Sequence, residues 1–332
     1  MWDTCCMRIL KILAALLLLV ALAAAGLAWE GHRRFTAPGP LAEPVTVLIP
    51  KGSGLEAIAR RLQDSGVIAD RLVFIVGARL RKAALKAGEY AIPARISAEE
   101  AMRLLADGRT VMHKLTVAEG LTSRTVLDIV RQAEFLAGTV SARPAEGSLL
   151  PETWYLSRDD ARDEVVGRME KAMRQSLDAL WAGRAAGLPL KSKEEAVVLA
   201  SIVERETGIA SERPRVAAVF VNRLKRGMRL QSDPTVIYGL SDGWGVLERP
   251  LSRADLATAL PWNTYVIDGL PPTPIANPGR AALEATLHPA VTEELYFVAD
   301  GTGGHVFARS LDEHNGNVAN WRKVERDRKA GK

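Results

Sequence analysis

Two carboxylates stand close together in an otherwise apolar stretch of this chain. They are Glu204 and Glu206, within Leu199-Ala200-Ser201-Ile202-Val203-Glu204-Arg205-Glu206-Thr207. Five consecutive apolar residues, 196–200, precede Ser201, so a helix over residues 193–207 has to be largely buried. At about 100° per residue, Glu204 shares its face with Val197, Ala200, Ser201 and Gly208. Glu206 shares its face with Glu195, Leu199, Ile202 and Val203. The small residues beside Glu204 leave room for a ligand. A carboxyl group in a partly apolar pocket has a raised pKa and can donate a proton near neutral pH, as a glycosidic leaving group requires. The helix alone favours the plainer reading, a pair of surface glutamates matched with Arg205 or nearby bases.

The segments that follow weigh toward a sugar cleft. Asn222 ends a helix together with Arg223. Leu230-Gln231-Ser232-Asp233-Pro234-Thr235 reads as a polar turn, with Tyr238 beyond it. Pro261-Trp262-Asn263-Thr264-Tyr265 brings an amide and two aromatics together, and Gly269-Leu270-Pro271-Pro272 and Ile275-Ala276-Asn277-Pro278-Gly279 read as rigid loops. A sugar offers apolar ring faces and hydroxyls, which suit aromatic, amide and hydroxyl partners. The candidate substrate contacts are therefore Asn222, Gln231, Asp233, Thr235, Tyr238, Asn263 and Tyr265. Other chemistries fit less well. The chain has no GxSxG nucleophile elbow and no HExxH pair. Asp300-Gly301-Thr302-Gly303-Gly304-His305 lacks the GK[ST] of a phosphate loop. His305 and His314 read as structural residues rather than metal ligands, and no cofactor or metal is expected.

The elements that must carry these residues are legible in outline. A β-rich run at residues 45–49 leads through a glycine-rich turn into a helix from Leu55, with apolar residues at Leu55, Ile58, Ala59 and Leu62. A second helix is expected over 71–81 and a short strand over 88–93. Ser97 caps a helix through Leu105, with Glu100 at capping-box spacing. A strand at 113–117 and a helix at 123–130 follow. Residues 162–184 form an amphipathic helix that turns Val166, Met169, Met173, Leu177 and Leu180 to one side. Beyond the Glu204 helix come a helix at 216–226, a loop-rich stretch at 227–278, a helix at 279–287, a strand at 294–298 and a basic helix at 317–329. The fold class is α+β, with an α-rich C-terminal part.

Composition bounds the compartment. The chain has 332 residues, 48% hydrophobic and 25% charged, with a net charge of +5. That excess is too small to suggest a nucleic-acid partner. The only cysteines are Cys5 and Cys6, which removes disulfide frameworks and thiol chemistry from the rest of the chain. Residues 12–29 are an uncharged run, mostly Leu and Ala, preceded by Arg8 and Lys11 and bracketed by Trp2 and Trp29. As a helix it spans about 27 Å, close to a hydrocarbon core of about 30 Å. A cleaved signal peptide and a retained anchor both fit, and the length and Trp29 favour the anchor. The expected layout is a cytoplasmic tail at 1–11, the membrane anchor at 12–29, a linker at 30–44 and an exported remainder.

With these blocks in order, the chain resembles the endolytic murein transglycosylase family, the MltG or YceG-like proteins. The carrying residues are Leu199 through Thr207, Ala218-Val219-Phe220-Val221-Asn222-Arg223-Leu224 and Met228-Arg229-Leu230-Gln231-Ser232-Asp233-Pro234-Thr235-Val236-Ile237-Tyr238. Asn263-Thr264-Tyr265, Gly269-Leu270-Pro271-Pro272 and Tyr296-Phe297-Val298-Ala299-Asp300-Gly301 follow, and Glu146-Gly147-Ser148-Leu149-Leu150-Pro151-Glu152-Thr153-Trp154 matches an earlier block. The chain departs from the family pattern at Glu152, Ser232 and Trp262, where Asp, Thr and Tyr are common. The resemblance implies a LysM-like subdomain at 45–108 and a transglycosylase domain at 109–332. It implies Glu204 as general acid and then base, cleaving the bond between N-acetylmuramic acid and N-acetylglucosamine without water, as a single isolated acid. It also implies peptidoglycan strands as substrate, cell-wall synthases (penicillin-binding proteins) as neighbours, and a single-pass inner-membrane protein with a periplasmic catalytic part. A non-catalytic peptidoglycan-binding scaffold is the alternative.

Overall fold

The computed structural model describes residues 2–330. Met1, Gly331 and Lys332 lie outside them, and with Met1 the first residue of the expected tail. The chain divides into two compact units: residues 1–113 with 157–159, and residues 114–156 with 160–332.

The first unit begins with α1 (Trp2–Thr36), whose stretch Leu10–Thr36 is long and apolar enough to cross a membrane. The helix outlasts the apolar run, so the linker expected over 30–44 is helical as far as Thr36. The reason is packing: Phe35 is only 4% exposed and joins the core of the unit. That core is built on β1 (Val45–Ile49), α2 (Leu55–Asp64), α3 (Arg71–Leu80), β2 (Gly88–Ile92) and α4 (Ala98–Asp107). The strands pair antiparallel, Val45 opposite Ile92 and Ile49 opposite Gly88. Ile58, Leu62, Phe74, Tyr90, Ala101 and Leu105 fill the space between sheet and helices. The capping box at α4 is present, with Ser97 N–H donating to Glu100 at 2.9 Å and Glu100 N–H to Ser97 Oγ at 3.2 Å. Asp70 accepts from Leu72 N at 2.8 Å and caps α3. The continuous stretch of this unit ends at His113.

The second unit is α-rich and carries two small sheets. β3 (His113–Thr116) pairs with β4 (Thr153–Leu156), and α5 (Ser123–Gln132) lies between them in sequence. Then come α6 (Arg162–Ala182), α7 (Lys193–Glu206), α8 (Arg213–Lys225), α9 (Asp233–Leu240), α10 (Arg253–Ala257) and α11 (Arg280–Leu287). β5 (Tyr296–Ala299) and β6 (His305–Ala308) form an antiparallel hairpin before α12 (Leu311–Ala330). The eight residues from Ala196 to Val203 are all buried in α7, as are the six from Val216 to Val221 in α8. Each run is therefore covered on every side and sits in the interior of the unit.

The stretch that leads to Asp233 differs from expectation. The polar turn at 230–235 is instead the approach to a helix, since Asp233 begins α9 and Pro234 stands in its first turn, where a missing N–H costs nothing. Residues 300–304 of the glycine-rich segment form the turn of the β5–β6 hairpin, and His305 opens β6. Asp300 closes the turn by accepting from Thr302 N at 2.6 Å and Gly304 N at 3.2 Å.

Candidate functional site

Glu204 and Glu206 leave the last turn of α7 toward different neighbours. Glu204 is nearly covered, its side chain 7% exposed. Oε2 accepts from Gly279 N, the N-cap residue of α11, at 2.8 Å, and Oε1 lies 3.7 Å from Arg213 Nη2 at the start of α8. The small residues of α7 thus do not leave an open face beside Glu204. They let backbone approach: Ser201 Oγ accepts from Ile275 N at 3.0 Å, and the segment from Ile275 to Gly279 lies close along the helix.

A second carboxylate stands at the same point. A Cβ added to Gly279 would lie 3.2 Å from Glu204 Oε2, 3.2 Å from Glu119 Oε1 and 2.6 Å from Glu119 Cγ. Glu119 and Glu204 therefore straddle one glycine, and the acid is not isolated as expected. Glu119 is delivered by the loop between β3 and α5, which pairs with the Asn277 backbone: Gly120 N donates to Asn277 O at 3.0 Å and Asn277 N to Leu121 O at 2.8 Å. The buried Asn277 amide ties in more chain, accepting from Leu149 N at 2.8 Å and donating to Ser123 Oγ at 3.1 Å. Arg205 Nη1 donates to Gly120 O at 3.2 Å from the other side. Burial pushes the Glu204 carboxyl above its ordinary pKa. The Gly279 N–H and Arg213 oppose that shift, and the Glu119 charge adds to it.

Glu206 faces a cleft of about 470 Å³. Arg223, Gln231, Asp233, Tyr265, Tyr296 and His314 line it with Glu206. Ser232 Oγ donates to Glu206, and burial pushes the Glu206 pKa up to about 7, against that hydrogen bond and with help from Asp233. Tyr265 donates to Asp233 Oδ1 at 2.6 Å, and burial with that neighbour raises the phenol well above its ordinary pKa. The buried His314 Nδ1 has no hydrogen-bond partner among the described residues, and the ring stacks on Tyr296 at 5.1 Å.

Of the seven expected substrate contacts, three meet in this cleft: Gln231, Asp233 and Tyr265. The backbone of Gln231 is strained toward the left-handed region (φ 54°), and its side chain accepts from Arg223 at 3.4 Å. The others are placed elsewhere. Asn222 donates to Thr292 O at 2.8 Å and Glu294 O at 3.0 Å, bracing the entry to β5. Thr235 is fully buried against Ser232 O and Thr264. Asn263, also fully buried, holds the end of α10 through Thr258 O at 2.8 Å. Tyr238 donates to Glu146 Oε2 at 3.2 Å beside a different cavity of about 550 Å³. Burial also raises the Glu146 pKa. His305 is held by Glu212, Nδ1 to Oε2 at 2.8 Å, and by its own N–H to Oε1 at 2.8 Å.

Sequence reading missed Glu119. It has no periodic or motif signal of its own, and long-range bonds to its loop from Asn277 and Arg205 bring it to Glu204. A buried acid with a raised pKa, braced by a backbone N–H beside a second carboxylate, is suited to hold a proton and give it up to a leaving oxygen.

Comparison with known proteins places the chain in a family. The YceG-like family profile matches residues 47–320, and the chain belongs to that family. A Streptococcus pneumoniae protein named endolytic murein transglycosylase is 29% identical over 328 residues, taking in 83% of this chain and 58% of its own length. This chain thus spans a little over half of that relative. A Bacillus subtilis protein of the same name is 29% identical over 304 residues, 82% of this chain and 83% of the relative. A crystal structure of a YceG-like protein from Listeria monocytogenes aligns with a TM-score of 0.49 at 29% identity, over 83% of this chain and 99% of that one.

Proposed function

We propose that this member of the YceG-like family is a peptidoglycan lytic transglycosylase acting within glycan strands. The observation that carries the reading is Glu204, a buried carboxyl with a raised pKa whose Oε2 is fixed by the Gly279 N–H. In the step, protonated Glu204 gives its proton to the oxygen linking N-acetylmuramic acid to N-acetylglucosamine, and the bond from that oxygen to the muramyl anomeric carbon breaks. The muramyl C6 hydroxyl then bonds to that carbon and returns its proton to Glu204. No water is consumed, and the product ends in a 1,6-anhydro ring. The nucleophile belongs to the substrate and starts close to the reacting carbon, which lowers the entropic cost of the step. Glu204 acts first as acid and then as base. Gln231, Asp233 and Tyr265 contact sugar in the cleft, Asn222, Thr235 and Asn263 brace the chain around it, and Tyr238 stands at the neighbouring cavity with Glu146.

The same reading assigns residues 45–108 as a LysM-like glycan-binding part, supported by the order strand, helix, helix, strand with the two strands antiparallel. It assigns 12–29 as a membrane anchor with the rest of the chain periplasmic. Cell-wall synthases then become the neighbours, and trimming or termination of nascent strands the consequence.

A second assignment of the acid is favoured by one observation. Glu206, not Glu204, lines the open cleft, and its pKa of about 7 suits a proton donor near neutral pH. Glu204→Gln and Glu206→Gln variants separate the two on isolated glycan strands, with products read by mass spectrometry. Loss of anhydro ends in Glu204→Gln with turnover kept in Glu206→Gln is the expected result. The reverse pattern moves the acid to Glu206. Hydrated reducing ends in the wild type would make the protein a hydrolase, and binding without any release would make it a scaffold.

A further inference from the structure

α3 is apolar on more of its circumference than its own unit covers. Phe74, Ile75 and Ala78 point into the core. Leu72, Val76 and Leu80, four residues apart and so on one face, point outward at 66%, 55% and 80% exposure. A helix with apolar residues on both sides calls for a second apolar surround, and a stripe of three large side chains is more than scattered exposure. The stripe does not end on α3. It forms one wall of a groove of about 490 Å³ whose other wall is Leu27, Ala28 and Phe35 of α1. Leu27 and Ala28 belong to the apolar run itself. The two walls are locked together: Phe35 is buried, and a Cβ on Gly77 would fall 2.4 Å from its ring. Arg71 and Lys82, both exposed, flank the stripe at the two ends of α3.

We propose that Leu72, Val76 and Leu80 rest in the headgroup–acyl boundary of the bilayer that α1 crosses, holding the first unit against the membrane surface. The proposal rests on the reading of α1 as a retained anchor. Lipid that surrounds Leu27 and Ala28 must also meet the groove they share with α3. An apolar face with basic residues at its rim suits that interface, because aliphatic side chains enter the acyl boundary while Arg and Lys reach anionic headgroups.

Site-directed spin labels on the full chain test this, with Cys5 and Cys6 replaced by Ser and the protein reconstituted in vesicles of phosphatidylethanolamine and phosphatidylglycerol. Labels are placed at Leu17→Cys in the span, Val76→Cys in the stripe and Arg60→Cys on an exposed position of α2. The expected result is that Val76 behaves like Leu17, accessible to oxygen and several-fold less accessible than Arg60 to a water-soluble nickel chelate. Nickel access at Val76 equal to that at Arg60, with Leu17 still shielded, overturns the proposal and leaves the anchor standing. Nickel access at Leu17 overturns both. Dipolar broadening between Val76 labels without oxygen enrichment shows a second copy covering the stripe and also overturns it.

Discussion

At Gly279 two acids meet where only a glycine leaves space for both. Glu119 raises the Glu204 pKa by its charge, so removing that charge should let Glu204 release its proton at lower pH. Glu119→Gln is expected to move the alkaline limb of the pH–rate profile toward lower pH while turnover on the acid side is retained. The other groups facing Glu204, Arg213 from α8 and the Gly279 N–H from α11, are unchanged by the substitution. A profile that scales down uniformly would show Glu119 to be only a packing residue. Glu206 permits a separate prediction about stability. Its pKa is about 7 in the fold against 4.5 for an ordinary glutamate. Below 4.5 both folded and unfolded chains hold the proton. As pH rises toward 7 the unfolded chain loses it first, so folding is weakened progressively, by up to about 3 kcal/mol for a shift of this size. Partial exposure of the side chain reduces that figure. Glu206→Gln should therefore raise the melting temperature at pH 7.5 and leave it nearly unchanged at pH 4. Equal effects at both values would refute the assignment.

At the scale of elements, what could be read in advance was what is local. The Ser97–Glu100 box and the buried run of α7 are written in adjacent residues, and both stand in the fold. Asp-Pro within a polar stretch signals turns and helix starts alike, so the start of α9 is indistinguishable from a turn in sequence. Runs of four residues lie at the lower limit of what alternation can register, and of the four strands of that length the sequence signals only β3 and β5, leaving β4 and β6 unmarked. Glu119 was invisible for a different reason, since the chain segment that holds it beside Glu204 is the distant Asn277 backbone. The α1–α3 lock is likewise a long-range feature, and it makes a prediction in which two effects compete. Gly77→Ala in a free helix would be stabilising by roughly 1 kcal/mol. Here the new Cβ meets the Phe35 ring at 2.4 Å, a buried and rigid neighbour, and overpacking of this kind costs about 1–3 kcal/mol. The clash is expected to win, lowering the melting temperature of the detergent-solubilised chain. A rise would mean that α1 yields and that Phe35 is not the fixed point between the helices.

At the scale of the whole molecule, the two units have separate cores. One is centred on Phe74, Tyr90 and Leu105. The other is centred on Leu199, Ile202 and Phe220, with a satellite around Val126 and Met169. Each core is built from its own buried side chains among the described residues, so a cavity opened in one acts first on the unit that holds it. Phe74→Ala and Phe220→Ala each empty a fully buried ring position, for which about 3–5 kcal/mol is the usual loss. Calorimetry of the full chain in micelles is expected to resolve two transitions, with Phe74→Ala lowering one and Phe220→Ala the other. Joint movement of both transitions in either variant would show a single cooperative body. Separate melting also bears on the proposed activity. If the first unit grips glycan through its own fold, then Glu204→Gln, which alters only the second unit, should sediment with sacculi as the wild type does while releasing nothing. Phe74→Ala should lose sedimentation when warmed through its own transition, at a temperature where turnover of short soluble strands persists. Loss of both together would place binding and cleavage in the same unit.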